Sequence, residues 1–221
     1  METEIISTEK IDLPANLEEL GITIDQNFIN QYVNDAIKAY MDFKLPIIAV
    51  LELKRIKNSP DYHAVVISGY RTGENGIIKQ LYVHDDQLGP YTRVQSARKD
   101  NGFVYWDYEL KRNYNQIHLF ELIIPLYSKL RLTFSNIYIE FLKVKSKMKE
   151  GITAHIFLTE LNDYKEFLLS RDFENKRYIL TGFFPKYLWV IRIQIKGEPL
   201  ADYLYDATAV YTNKICSILF Y

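Results

Sequence analysis

The sequence predicts an α+β fold made of two unequal regions. Residues 26–42 carry apolar side chains at helical spacing, and three apolar strand patterns follow between residues 46 and 85. Beyond a polar segment at residues 96–102, further strand patterns alternate with two helical patterns. We therefore assign residues 1–98 to a first region and residues 99–221 to a C-terminal α+β extension.

The first helix is predicted between Gln26 and Asp42. Its apolar residues recur three and four positions apart, so the helix has one apolar face and should pack on a sheet. Asp25 is the expected N-cap, because a carboxylate there can accept a hydrogen bond from a free N–H of the first turn. The apolar positions are Phe28, Ile29, Tyr32, Val33, Ala36, Ile37 and Tyr40.

Three strands are predicted after this helix. The run LPIIAVLELK is almost continuously apolar and begins near Pro46, where the missing N–H does least harm to a ladder. The next two, HAVVISGY and IIKQLYVHD, are separated by RTGENG and form a hairpin. Gly73, Asn75 and Gly76 are expected to supply its positive-φ positions.

The extension is predicted to alternate strands and helices. FVYWDYEL and NQIHLFELIIPLY have strand patterns, and SNIYIEFLKVKSKMKEG has the spacing of a helix that ends at Gly151. ITAHIFLTEL is a predicted strand and NDYKEFLLSRD a short helix capped by Asn162. YLWVIRIQIKGEPLADYLYDATA holds two strands around a turn at residues 197–199. His118 and His155 lie in apolar strand patterns, which favours buried core histidines.

Composition excludes several classes of function. The 221 residues are 48% hydrophobic, and 27 basic against 28 acidic residues give a formal charge of −1. This balance gives no reason to expect a nucleic-acid or membrane-surface partner. No apolar run approaches the roughly 18 residues of a membrane span, and the N-terminus METEIISTEKIDLP lacks a signal-peptide pattern. We expect a cytoplasmic protein.

The sequence predicts no cofactor and no metal. Its single cysteine, Cys216, cannot form an internal disulfide, and no Cys/His cluster has zinc spacing. His84 could bind a cation together with Asp85 and Asp86, but no second group of ligands accompanies them. The acidic pair is more readily explained as part of a turn.

His63 and Asp85 are the strongest candidates for a functional pair. His63 opens one strand of the predicted hairpin and Asp85 closes the next, so antiparallel pairing brings both to the same edge of the sheet. A histidine base needs such a polar partner to fix its tautomer and to stabilise the imidazolium. The alternative is an ordinary histidine at a strand edge beside an ordinary acidic turn.

The order of LPIIAVLEL, HAVVISGY and LYVHDDQLGPY resembles the second half of papain-like cysteine peptidases, especially the branch related to bacterial leader-processing, bacteriocin-type peptidases. The resemblance covers about residues 26–95. It implies a leading helix with a papain-like antiparallel sheet fragment. It also implies that His63 is the general base and Asp85 its orienting partner, with Asp86 a weaker candidate for that role.

The chain departs from this family in its nucleophile. Papain-like enzymes carry the catalytic cysteine at a helix N-terminus upstream of the histidine, whereas this sequence has no cysteine before Cys216. The domain is then a non-catalytic relative, or the C-terminal part of a longer or split protein, or a permuted enzyme that uses Cys216. Only five residues follow Cys216, too few for a stable activating helix, which favours a small buried hydrophobe there.

These observations predict a catalytically incomplete papain-like relative, with His63 and Asp85 present and the nucleophile absent. Such a chain would act as a binding or interaction module for a peptide or protein, or as the downstream part of a larger protease-like protein. The alternative is an active cysteine hydrolase of peptide or amide bonds, with the nucleophile from Cys216 or from sequence upstream. A third hypothesis is a structural protein whose aromatic C-terminal region binds a partner chain.

Overall fold

A computed structural model of the chain has an α+β fold organised as two compact units. One contains the N-terminal strand and Thr23–Leu126, and the other contains mainly the chain from Tyr127 onward. The structure describes residues 2–11, 13, 17–55, 59–73, 76–98, 102–109, 114–171, 176–210 and 215–220.

The first unit is a seven-stranded sheet with one helix, in the spatial order β1-β7-β2-β3-β4-β5-β6. Five of its strand pairs have a described register, and all five are antiparallel. The elements are β1 (Glu2–Ser7), α1 (Gln26–Asp42), β2 (Ile47–Lys54), β3 (Asp61–Thr72), β4 (Ile78–Asp85), β5 (Gly89–Ser96), β6 (Trp106–Asp107) and β7 (Gln116–Leu126).

Helix α1 confirms the sequence prediction at both ends. The Asp25 carboxylate accepts a hydrogen bond from the backbone N–H of Phe28 at 2.8 Å, which satisfies one free donor of the first turn. The predicted apolar stripe is largely buried, with Val33, Ala36 and Ile37 fully so. The helix contacts β2 and β3, so burial of this stripe joins the helix to the sheet.

The predicted hairpin is present as β3 and β4. Gly76 has the expected positive φ of +72°, and Asn75 lies outside the described residues. Strands β1 and β5 were not anticipated, because neither has a long apolar alternation. Of the described residues in FVYWDYEL, which was predicted as a strand, only the two residues of β6 form one.

The first unit continues beyond residue 98, where the sequence had suggested a boundary. Strand β7 pairs with β2 along its length, with Leu51 opposite Leu119 and Glu52 opposite His118. This long-range pairing adds β7 to the first sheet, so the first compact unit extends to Leu126.

The second unit is a four-stranded antiparallel sheet with helices, in the spatial order β11-β10-β9-β8. Its core includes Tyr164 and Leu168, which pack with Leu188, Val190 and Leu204. The elements are a 3-10 turn (Leu17–Leu20), α2 (Phe134–Lys145), β8 (Ile152–Glu160), α3 (Leu161–Leu169), α4 (Lys176–Thr181), β9 (Tyr187–Ile195), β10 (Glu198–Asp206) and β11 (Ile215–Phe220).

Three local predictions for the second unit were wrong. Helix α2 ends at Lys145 instead of Gly151, because the following N–H groups bond three residues back and turn the chain out of the helix. Helix α3 begins at Leu161, so Asn162 lies in its first turn and Glu160 occupies the cap position. His155 is exposed on β8, since strand alternation directs its neighbour Ile156 inward. Within the described residues, no helix is both long and apolar enough to cross a bilayer.

Candidate functional site

The candidate site lies where β3 begins and β4 ends. His63 is the third residue of β3 and Asp85 is the last residue of β4, so antiparallel pairing brings the two side chains to the same end of the hairpin. His63 Nε2 lies 2.8 Å from Asp85 Oδ2. The expected contact between these two residues is therefore present.

The Asp85 carboxylate is held by both of its oxygens. Oδ1 accepts hydrogen bonds from the backbone N–H groups of Gln87 at 2.6 Å and Leu88 at 2.9 Å, which closes the turn between β4 and β5. Oδ2 accepts hydrogen bonds from His63 and from the Tyr108 hydroxyl. The Asp85 side chain is 0% exposed, so these contacts fix its orientation away from water.

These contacts keep Asp85 ionised. Burial by itself raises the pKa of a carboxyl, but the hydrogen bonds from Tyr108, His63 and the two backbone N–H groups outweigh it and lower the pKa of Asp85. Burial and the neighbouring carboxylate raise the pKa of Tyr108 far above its usual value, so its hydroxyl stays protonated. Asp85 is thus an anion that receives four hydrogen bonds.

The ionised carboxylate determines the tautomer of His63. An anion at 2.8 Å can only accept, so His63 Nε2 carries a proton and donates it. In the neutral ring, Nδ1 then keeps its lone pair, and among the described residues no group hydrogen-bonds to it. An oriented imidazole with a lone pair away from its carboxylate is the arrangement that a general base requires.

Asp86 lies closer to His63 than its sequence position suggests. Alternation along an extended strand would direct it away from the site, but Asp86 belongs to the turn after β4, where alternation no longer holds. Its Oδ1 is 3.7 Å from His63 Nε2, and its side chain is 80% exposed. Asp86 is therefore a peripheral, solvated charge beside the His63–Asp85 pair.

His84 takes no part in this cluster. It is exposed on the opposite face of β4, and its ring packs edge-to-face on Tyr91 with centroids 4.9 Å apart. The ligand atoms of His63, Asp85 and Asp86 lie within 4.8 Å of one another, so these three could together hold a cation. The bonds to Asp85 already satisfy both of its oxygens, so the site does not need one.

Cys216 lies in the second unit, on β11, and its side chain lies outside the described part of the structure. Strand β11 pairs antiparallel with β10, with Ser217 opposite Leu204. No helix begins at Cys216, so the backbone there lacks the helix N-terminus that lowers the pKa of a catalytic thiol.

Tyr108 is the site residue that the sequence did not reveal. It lies in FVYWDYEL, which the sequence placed in the C-terminal extension. Strand β6 pairs with β5, so the segment that follows β6 runs toward the end of β4, where Tyr108 contacts Asp85. No local spacing signals a contact that depends on two successive strand pairings.

Comparison of the chain with protein-family models, with curated proteins and with solved structures gave no match. The geometry of the residues themselves therefore carries any functional conclusion.

Proposed function

We propose that this chain is a papain-like cysteine-peptidase relative without a nucleophile of its own, which binds a peptide or protein segment and does not cleave it. The observation that carries the proposal is the 2.8 Å bond between His63 Nε2 and Asp85 Oδ2. It leaves Nδ1 as the basic nitrogen. The Asp85 carboxylate that orients the ring also accepts hydrogen bonds from Gln87, Leu88 and Tyr108.

Among the described residues no nucleophile accompanies His63, which supports a binding role over a catalytic one. A general base accelerates acyl transfer only when a thiol or hydroxyl lies within hydrogen-bond reach of its lone pair. Among the described residues, no such group bonds to His63 Nδ1. The lone pair of His63 Nδ1 can still accept a hydrogen bond from a polar group of a bound segment.

Thiol labelling tests the absence of a nucleophile. The native chain and the His63→Ala variant are treated with iodoacetamide at pH 7, and the rate of Cys216 modification is followed by mass spectrometry. We expect the same slow rate in both proteins, because His63 does not activate the thiol. The Asp86→Asn variant is the matched control, since it changes a solvated charge beside the same imidazole.

Rapid labelling of native Cys216 that collapses in His63→Ala would show a coupled thiol–imidazole pair. That outcome would replace the proposal with an active cysteine hydrolase that uses Cys216. Labelling of the urea-unfolded chain gives the rate of an unhindered thiol, against which "rapid" is judged.

Peptide selection tests the binding role. A random peptide library displayed on phage is selected on the native chain, and synthetic copies of the enriched peptides are then added to the isotope-labelled protein. We expect shifts of the backbone amides of β3 and of the β4–β5 turn, with the peptides recovered intact. No enrichment, or shifts confined to distant amides, would contradict peptide binding at His63, and cleaved peptides would contradict the lack of a nucleophile.

A further inference from the structure

A second histidine–carboxylate cluster lies elsewhere on the same sheet. Glu52 on β2 and His118 on β7 are directly opposite in the antiparallel register, so their side chains emerge on one face. Glu9 follows β1 and reaches the same place, because the backbone N–H of Thr8 bonds to the carbonyl of Phe120 on β7 at 3.1 Å. The ligand atoms of Glu9, Glu52 and His118 all lie within 4.8 Å of one another.

The hydrogen bonds around Thr8 favour a proton on His118 Nε2. Thr8 Oγ1 lies 2.5 Å from the carbonyl oxygen of Leu119, and a carbonyl can only accept, so the single hydroxyl proton is donated there. Thr8 Oγ1 is therefore an acceptor for its other neighbour, His118 Nε2, at 3.4 Å. A neutral ring with its proton on Nε2 donates to Thr8 and directs the lone pair of Nδ1 at Glu52.

That lone pair faces a carboxylate. His118 Nδ1 is 3.4 Å from Glu52 Oε2, and the two side chains are about nine-tenths buried. No donor among the described residues hydrogen-bonds to His118 Nδ1. The two atoms are thus buried close together without a hydrogen bond between them, and a cation bound to both would satisfy them.

Lys54 supplies only part of the required positive charge. Its ammonium lies 2.8 Å from Glu52 Oε2, but the side chain is 45% exposed and is not hydrogen-bonded to His118. A long, half-exposed lysine can move into solvent at little cost, because exposed ion pairs contribute little to stability. Lys54 is thus a competitor for this position that a more highly charged cation can displace.

We propose that Glu9, Glu52 and His118 bind a divalent transition-metal ion of the Zn²⁺ type, through carboxylate oxygens and the Nδ1 nitrogen of His118. One imidazole nitrogen with two carboxylates suits Zn²⁺ and its first-row neighbours better than Ca²⁺ or Mg²⁺, which prefer oxygen ligands alone. The bond between Nε2 and Thr8 is the outer contact that typically orients a metal-binding histidine. Glu9 is exposed, so an ion can enter from solvent.

The sequence did not suggest this site, because its ligands come from β2, β7 and the segment after β1, which meet only through long-range pairing. The three residues share no short spacing of the kind that marks zinc motifs. His118, predicted as a core histidine, is indeed buried, but its Nδ1 has no partner of the kind that a satisfied core histidine would have.

Titration of the chelator-treated full-length protein with metals tests the proposal. Zn²⁺ binding is measured by calorimetry, Co²⁺ binding by its visible absorption, and Ca²⁺ provides the oxygen-preferring control. We expect one Zn²⁺ per chain, and we expect His118→Ala and Glu52→Gln each to weaken binding by at least about tenfold. Urea unfolding verifies that both variants are folded, and Glu52→Gln keeps the shape of the side chain if His118→Ala does not fold.

Two further variants separate this site from its alternatives. His63→Ala should leave Zn²⁺ affinity unchanged, since His63 belongs to the other cluster. Lys54→Met should tighten Zn²⁺ binding by a few-fold, because it removes the competing ammonium. The proposal is overturned if Zn²⁺ does not bind, if Ca²⁺ binds as tightly, or if His63→Ala abolishes binding while His118→Ala does not.

Discussion

Two histidine–carboxylate pairs on the same seven-stranded sheet differ in how completely their hydrogen bonds are satisfied. His63 pairs with Asp85, whose oxygens receive four hydrogen bonds, one of them from the histidine. His118 faces Glu52 at 3.4 Å without a hydrogen bond between Nδ1 and any described group. The two pairs therefore differ in the hydrogen bonds made by the carboxylate and by the ring nitrogen that faces it.

The comparison shows that burial alone does not define what a histidine–carboxylate pair does. In the first pair a donor faces an acceptor, which orients the ring and leaves Nδ1 available to a donor of a bound segment. In the second pair the two facing atoms are buried without a hydrogen bond between them, an arrangement that gains from a cation. The contrast supports the binding role proposed for the first pair and the ion-binding role proposed for the second.

The largest expected contrast comes from matched amide substitutions. Asp85→Asn should lower the free energy of unfolding by about 2–3 kcal/mol, because it removes a buried charge that accepts four hydrogen bonds and directs an amide N–H₂ at donors. Glu52→Gln should change it by less than about 1 kcal/mol in chelator, since the main ion pair lost there is half exposed. Urea unfolding at pH 7 measures both, and equal losses would contradict the difference between the pairs.

Acid should remove the contribution of Asp85. Its folded-state pKa lies below the value of an unfolded aspartate, so its stabilisation is present at neutral pH and is lost as pH falls through the folded-state pKa. The difference in unfolding free energy between the native chain and Asp85→Asn should therefore shrink as pH falls from 7 to 3. Urea titrations at several pH values provide the measurement, and a constant difference would show that the ionised carboxylate is not the stabilising form.

Tyr108→Phe should have a smaller effect than Asp85→Asn, about 1–2 kcal/mol of unfolding free energy, because it removes one donor and keeps the ring. It should also raise the pKa of Asp85, since the hydroxyl stabilises the carboxylate. Carbon-detected NMR of the Asp85 carboxyl measures that shift directly. Tyr91→Phe is the control, because Tyr91 is exposed and its ring packs on His84 and not on the His63–Asp85 pair; an equal effect there would contradict the role of Tyr108.

Local patterns in the sequence predicted much of the first unit. The spacing of apolar residues in α1, its Asp25 cap and the hairpin of β3 and β4 depend on neighbours in the chain, and the structure contains all of them. The contact between His63 and Asp85 follows from that hairpin. The catalytic roles that the resemblance implies for these two residues stay a prediction.

The rest depends on contacts between distant segments. Tyr108 reaches Asp85 through the pairing of β5 with β6, and His118 meets Glu52 through the pairing of β7 with β2. Strand periodicity indicates that a residue lies in a sheet, but it does not indicate which strand lies beside it. The same limitation explains why the first unit extends to Leu126 and not to residue 98.

On strand β2, the residues that lie opposite the two histidines are adjacent in the sequence. Leu51 lies opposite His63 and the next residue, Glu52, lies opposite His118, so the two clusters occupy opposite faces of one sheet. Deleting or inserting one residue early in β2 would invert the faces of every later residue and so transfer the Glu52 carboxylate to the side of His63. A substitution can therefore change one face of the sheet and leave the other unchanged, whereas any change in the length of β2 alters both faces at once.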